Sequence, residues 1–216
     1  MKYEHSERAK QILDELIEYT GKPRELVVQR AKTAFVELAW QWHEKKDVLS
    51  YYRDSDLYIF DLTAYQSMLV PEVNYMVEYV EREKIKKVLD LGGGIGEYTI
   101  RLMKEAGCEV TFLDLKDSKT MDYARWRFKK QGVKPTIVFE DYKWQNEMWD
   151  AVVAMDVIEH LENAEETIAN LERKAKFIFA NPGKIKFNDL YPQHISAYQL
   201  KNFREAGINF YRNQLI

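Results

Sequence analysis

Residues 86–98 read Lys-Lys-Val-Leu-Asp-Leu-Gly-Gly-Gly-Ile-Gly-Glu-Tyr, an apolar run that feeds directly into glycines and then into a helical pattern. A strand, a glycine turn and a helix in immediate succession restrict the fold more than any other feature of the chain. The turn is tight, and its bare backbone can approach a ligand at the carboxyl edge of a sheet. Glycine-rich turns also occur for purely steric reasons, so the surrounding pattern must carry part of the argument.

That pattern alternates. The apolar runs KVLDL, EVTFLDL, PTIVFE, WDAVVAM and AKFIFA read as buried strands. Between and after them, residues 97–105, 118–131, 163–173 and 196–206 read as helices. Strands alternating with helices imply right-handed crossovers and a mostly parallel sheet covered on both faces, an α/β doubly wound fold. Before Lys87 strand signals are almost absent. Ile12, Leu13, Leu16 and Ile17 form one helical stripe ended by Gly21 and Pro23, and Val27, Ala31, Ala34, Phe35, Leu38 and Trp42 form a second. A third helix is expected over residues 63–82, bent at Pro71, with the aromatic-rich connection VLSYYRDSDLYIFDL before it. The expected division is an N-terminal helical segment over residues 1–84, packed on an α/β domain over residues 85–216.

The chain of 216 residues carries a formal net charge of −3, so no global positive field draws it onto nucleic acid. Its single cysteine, Cys108, excludes an intrachain disulfide and a multi-cysteine zinc cluster, and fits a reducing, cytoplasmic setting. No signal-peptide pattern and no run of about 18 apolar residues occurs, so no membrane association is expected.

The chemistry around the turn narrows the ligand. A dinucleotide fingerprint G-x-G-x-x-G counted from Gly92 needs glycine at position 97, which is Glu97; Gly92, Gly94 and Gly96 instead give G-x-G-x-G. Asp90, at the strand–turn junction, is unwelcome to a pyrophosphate but can accept from an ammonium. Asp114 ends the second strand about 20 residues beyond the turn, where a carboxylate can accept from both hydroxyls of a ribose. A nucleoside without a pyrophosphate suits both acids.

From about Lys87 to Gly207 the sequence resembles the class I S-adenosylmethionine-dependent methyltransferases, whose core is Rossmann-like. Their acid-x-Gly-x-Gly-x-Gly motif stands here as Asp90, Gly92, Gly94 and Gly96, with Gly93 inside it. The resemblance implies that Asp114, with Leu115 beside it, holds the ribose, that Asp141 meets the adenine amino group with Tyr142 as a ring contact, and that Met155 belongs to the cofactor site. S-adenosylmethionine is the implied cofactor and S-adenosylhomocysteine its product. Family members finish with a hairpin at the sheet edge, whereas this chain stops at Ile216, about where the first arm (INFYRNQLI) ends. A seventh strand is therefore expected to be missing, leaving six strands or an edge completed by the N-terminal helices or a partner chain.

The end of the fourth strand bears on the methyl acceptor. The Asn-Pro-Pro-aromatic turn of enzymes that methylate exocyclic amines of DNA bases is absent, and the only Asn-Pro, Asn181-Pro182, follows the fifth strand as a strand-ending turn. The run Asp156-Val157-Ile158-Glu159-His160-Leu161 is similar to that of small-molecule methyltransferases and of small-RNA 2′-O-methyltransferases. In metal-using members such an array holds a divalent ion, which implies Asp156, Glu159 and His160 as ligands with His194 as a further one. Three roles stay open: metal ligation, a catalytic base at His160 supported by Glu159, and a structural histidine. Tyr51, Tyr52, Tyr58 and Tyr65 form a substrate lid on one view and helix packing on the other.

Arg125, Arg127, Lys129 and Lys130 scatter around one helix and read as a solvated face. The expected function is methyl transfer to a small-molecule hydroxyl or amine. The alternatives are a metal-assisted 2′-O-methyltransferase acting on RNA and a catalytically silent S-adenosylmethionine-binding partner or sensor. Monomer and homodimer both stay open.

Overall fold

The computed structural model describes residues 7–45, 47–181, 192–196, 198–207 and 209–215. Five helices come first: α1 (Glu7–Thr20), α2 (Arg24–Glu44), α3 (Val48–Asp54), α4 (Leu57–Met68) and α5 (Val70–Arg82). The α/β part follows as β1 (Lys87–Leu91), α6 (Glu97–Lys104), β2 (Glu109–Leu113), α7 (Lys119–Gln131), β3 (Thr136–Val138), β4 (Trp149–Ala154), α8 (Ala164–Lys174), β5 (Ala175–Ala180), β6 (Phe203–Gly207) and β7 (Phe210–Asn213).

The strands form one seven-stranded sheet in the order β3-β2-β1-β4-β5-β7-β6. β1 pairs in parallel with both β2 and β4, so the strand order reverses at β1 and opens a crevice at its carboxyl end. β7 inserts antiparallel beside β5, opposing Phe210 to Phe179 and Tyr211 to Ile178, and β6 closes the edge antiparallel to β7. The sheet is the expected doubly wound, mostly parallel one.

Two expectations are corrected at its edge. The seventh strand is present, and residues 203–206, expected within a helix over 196–206, belong to the sixth strand. Arg204, Glu205 and Ala206 are good helix formers, but Phe203 and Phe210 are buried and the hairpin places them on the sheet. Phe210 is fully buried, with its ring centroid 4.2 Å from that of Phe179 and 5.3 Å from that of Phe177. Burial of a side chain of this size contributes roughly 2–3 kcal/mol and outweighs local helix propensity. Pro182, the proline of the expected strand-ending turn, and Ile208 and Ile216 of the C-terminal segment lie outside the described residues.

The N-terminal helices also depart from expectation. The third helix is two helices that part at Leu69, with Pro71 within the first turn of α5, where its missing N–H costs nothing. The aromatic connection is itself helical, as α3 and the start of α4. α1 and α2 pack on α4, and their apolar faces (Ile12, Leu16, Leu38 and Phe60) share one buried cluster with Ile95 of the glycine turn and Tyr123 of α7. The helices therefore sit over the β1–α6 turn and roof the crevice. Among the described residues, no helix is long and apolar enough to cross a membrane.

A buried ion cluster joins the two parts. Arg127 of α7 is fully buried, and its guanidinium donates to Glu15 of α1 at 2.7 Å, to Glu97 at 2.7 Å and to the Ile95 carbonyl at 2.8 Å. Arg8 of α1 also donates to Glu97, at 2.6 and 2.8 Å. Burial pushes the Glu97 carboxyl up, but Arg127 and Arg8 outweigh it and hold it below the usual carboxylate range. Arg127 thus leaves the expected solvated face, because three acceptors satisfy its planar fork.

Candidate active site

The glycine turn is shaped by close approach. A side chain at Gly93 would begin 2.2 Å from the Phe112 ring and 2.9 Å from the Asp90 carboxylate, so the backbone there must stay bare. Gly94 has a φ of +56°, and its N–H points at Asp114 Oδ2, 2.6 Å away. The amides of Gly92 and Gly93 donate to the Leu113 carbonyl at 2.8 and 3.2 Å, which ties the turn to the end of β2.

Two carboxylates flank it. Asp90 is 1% exposed and accepts from the Thr99 hydroxyl at 2.6 Å; burial, with Asp114 adding repulsion, pushes its pKa up to about 7. Asp114 accepts from the amides of Gly94 and Leu115 at 2.6 Å each, and burial holds its pKa up at about 6. Each of its oxygens keeps a second lone pair, the acceptor geometry that a vicinal diol needs.

These groups open into one cavity of about 820 Å³ between the carboxyl ends of the strands and helices α2–α4. Asp90, Gly92, Gly93, Gly94, Asp114 and Leu115 line it, as do Tyr142 and Met155. Gly96 does not: it caps α6 in a left-handed conformation with its α-carbon against the Phe128 ring. Asp141 is exposed and does not line the cavity, whereas its neighbour Glu140 does. Glu140 accepts from the Lys116 amide at 2.8 Å and from Arg53 of α3 at 3.2 Å. β3 ends at Val138, earlier than the apolar run suggests, and the chain turns one residue sooner.

The opposite wall carries the titratable cluster. Asp156 follows β4 with a φ of +58°, an uncommon conformation that aspartate tolerates better than most residues. Its Oδ1 lies 3.9 Å from His160 Nε2 and 4.0 Å from His194 Nε2. Asp156, His160 and His194 each offer one ligand atom within 4.8 Å of the others. Burial, then Glu159, raises the Asp156 carboxyl; burial lowers both imidazoles, keeping them neutral near pH 7.

His160 Nδ1 lies 3.1 Å from the Gln193 carbonyl and 2.9 Å from the Tyr52 hydroxyl. A carbonyl only accepts, so the proton belongs on Nδ1 and Nε2 keeps its lone pair. Glu159 is buried away from the cavity, accepting from Asn181 Nδ2 at 2.9 Å, and stands outside the three-residue set. Asn181 also donates to Asp156 at 3.4 Å, so it joins the two carboxylates from behind.

The aromatic wall divides. Tyr52, Tyr58 and Tyr65 line the cavity, whereas Tyr51 is buried behind them and donates to the Leu38 carbonyl at 2.9 Å. Asp61, which sequence reasoning passed over, lines the cavity on α4, and burial pushes its pKa up to about 6. It shares the helical face of Tyr58 and Tyr65 at a spacing of three and four residues, a signal present in the sequence. Gln193 and Asn181 carry no such pattern, since loop and strand ends bring them in.

The sequence pattern of a family described as a methyltransferase domain matches residues 62–213. No curated protein matches the chain. Similar solved structures include magnesium protoporphyrin IX methyltransferase (ChlM) from Synechocystis PCC 6803 with bound S-adenosylhomocysteine, 24% identical over 51% of this chain and 53% of that one, with a TM-score of 0.43. The methyltransferase domain of bacterial CtHen1-C is 21% identical over 50% of this chain and 63% of that one, at a TM-score of 0.40. An S-adenosylmethionine-dependent methyltransferase from Clostridium acetobutylicum ATCC 824 is 17% identical over 50% of this chain and 48% of that one, at 0.42. The chain spans from 48% to 63% of the length of these three structures.

Proposed function

Because the chain belongs to the class I S-adenosylmethionine-dependent methyltransferase family, we propose that it moves a methyl group from S-adenosylmethionine to a hydroxyl or amine of a small molecule. One observation carries this: the bare glycine turn, the Asp114 carboxylate and the Asp156, His160, His194 cluster open into the same cavity of about 820 Å³. Ligand sites of roughly 300–1,000 Å³ are usual for drug-sized molecules, so this one has room for a cofactor and an acceptor face to face.

The residues fit the cofactor's chemistry. Asp90 accepts the ammonium of the amino-acid tail, Gly93 lets that tail lie on the backbone, and Asp114 takes the ribose hydroxyls. Glu140 and Tyr142, at the end of the same wall, suit the adenine better than Asp141 does. When bound, S-adenosylmethionine supplies a sulfonium-activated methyl carbon, and the electron pair of its carbon–sulfur bond stays with S-adenosylhomocysteine. The protein aligns the acceptor and excludes water through the helical roof. His160, its Nδ1 proton directed at Gln193, takes the proton that the acceptor loses onto Nε2.

A metal-assisted form of the same reaction is favoured by the convergence of Asp156, His160 and His194. One carboxylate and two neutral imidazoles suit a borderline divalent ion, which would lower the pKa of an acceptor hydroxyl. Incubation with S-adenosylmethionine and a panel of phenols and amines, followed by mass spectrometry, should give S-adenosylhomocysteine and methylated product. Turnover lost to chelator and restored by Mn²⁺ or Zn²⁺ supports the metal; turnover indifferent to chelator assigns the proton transfer to His160 alone. Binding of S-adenosylhomocysteine without turnover on any acceptor favours the silent partner or sensor.

A further inference from the structure

Three helices each place a large exposed apolar side chain on the cavity: Phe35 of α2 (37% exposed), Leu49 of α3 (51%) and Met68 at the end of α4 (41%). A single exposed leucine needs no explanation, but convergence of three such side chains from separate elements on one opening does. The charge inside points the same way. Among the described residues, the lining carries Asp61, Asp90, Asp114, Glu140 and Asp156 against only the ammonium groups of Lys32 and Lys143, both of which are exposed to solvent. Asp90, Asp114 and Glu140 lie on the cofactor's wall, which leaves Asp61 and Asp156 beside the remaining space. In the metal-free protein a carboxylate or phosphate on an acceptor would be repelled there, since among the described residues no buried lysine or arginine lines the cavity to compensate it. The side-chain oxygen of Gln66, a residue 4% exposed, lines the same space without a hydrogen-bond partner among the described residues and suits an O–H or N–H donor.

We propose that the acceptor is an uncharged or cationic molecule with an apolar body, its hydroxyl or amine toward His160 and its body running out between Phe35, Leu49 and Met68. This rests on the methyltransferase reading and adds the substrate class to it. The apolar rim removes the body from water, and the acidic interior rejects anionic analogues, so affinity and selectivity come from different parts of one channel.

Calorimetric titration of a 4-alkylphenol series, from methyl to hexyl, into chelator-treated, metal-free protein saturated with S-adenosylhomocysteine tests it without requiring turnover. Each added methylene should strengthen binding about three- to fourfold until the rim is filled, and 4-hydroxybenzoate should bind more weakly than phenol. The double variant Leu49→Glu, Met68→Glu should flatten the chain-length dependence while S-adenosylhomocysteine affinity stays unchanged. A flat series in the unaltered protein, no binding by any alkylphenol, or a preference for 4-hydroxybenzoate overturns the proposal. Failure of S-adenosylhomocysteine itself to bind overturns the cofactor reading instead, and the alkylphenol series titrated without it then decides the channel separately.

Discussion

One methyl group at Gly93 would collide with the Phe112 ring 2.2 Å away and with Asp90 2.9 Å away. Gly93→Ala should therefore cost about 1–3 kcal/mol in a urea melt and weaken S-adenosylhomocysteine binding, because the turn must shift to admit it. Asp90 is expected to give the site its pH dependence. Burial raises its pKa to about 7, so in the unliganded protein its stabilising contribution is present at low pH and lost as pH rises through that value. The ammonium of the cofactor needs the charged form, so affinity should increase from about pH 6 to about pH 8, and the thermal shift on binding should grow with it. Asp90→Asn should flatten that profile, leaving only the part due to Asp114, whose pKa lies at about 6. That both acids flank the turn and line the cavity is legible in the sequence, because each sits at the carboxyl end of an apolar run that reads as a strand. Asp141 and Glu159 do not line the cavity, and sequence could not have placed them, because no sequence period fixes where a short edge strand ends or how a 3₁₀ turn (Ile158–His160) rotates its side chains.

Among the elements, α1 and α7 are joined to the cofactor turn through Arg127, which donates to Glu15, Glu97 and the Ile95 carbonyl. Arg127→Met takes the donor from the Ile95 carbonyl and, among the described residues, leaves the buried Glu15 with only the neutral Gln131 amide and Glu97 with only Arg8, and should destabilise the protein by about 3–5 kcal/mol in equilibrium denaturation. Glu15→Gln keeps the hydrogen bond and should cost markedly less. The parallel strands and their crossover helices could be read from sequence because each is a buried apolar run or an amphipathic stripe of ordinary length. The β7 arm lies within INFYRNQLI, read as a strand, but β6 could not be read so: Arg204, Glu205 and Ala206 favour helix, and the segment becomes a strand only through burial of Phe203 against distant partners and its pairing with β7. Arg127 reads as part of a solvated face for the same reason, since its acceptors Glu15 and Glu97 lie 112 and 30 residues away in the chain.

Across the whole molecule, the helical roof and the sheet edge enclose one cavity, acidic within and apolar at its rim, facing the turn where the strand order reverses. The central claim is that a nucleoside with a cationic amino-acid tail occupies that cavity, its ribose on Asp114 and its sulfur toward His160. Asp114→Ala should weaken S-adenosylhomocysteine binding about ten- to a hundredfold, as titration calorimetry would read. The most direct test is a crystal structure of the protein with S-adenosylhomocysteine. Ribose hydroxyls within hydrogen-bonding distance of both Asp114 oxygens, with the sulfur facing Asp156, His160 and His194, is the result expected. A ribose bound away from Asp114, or a cofactor lying outside the crevice at the end of β1, would contradict it.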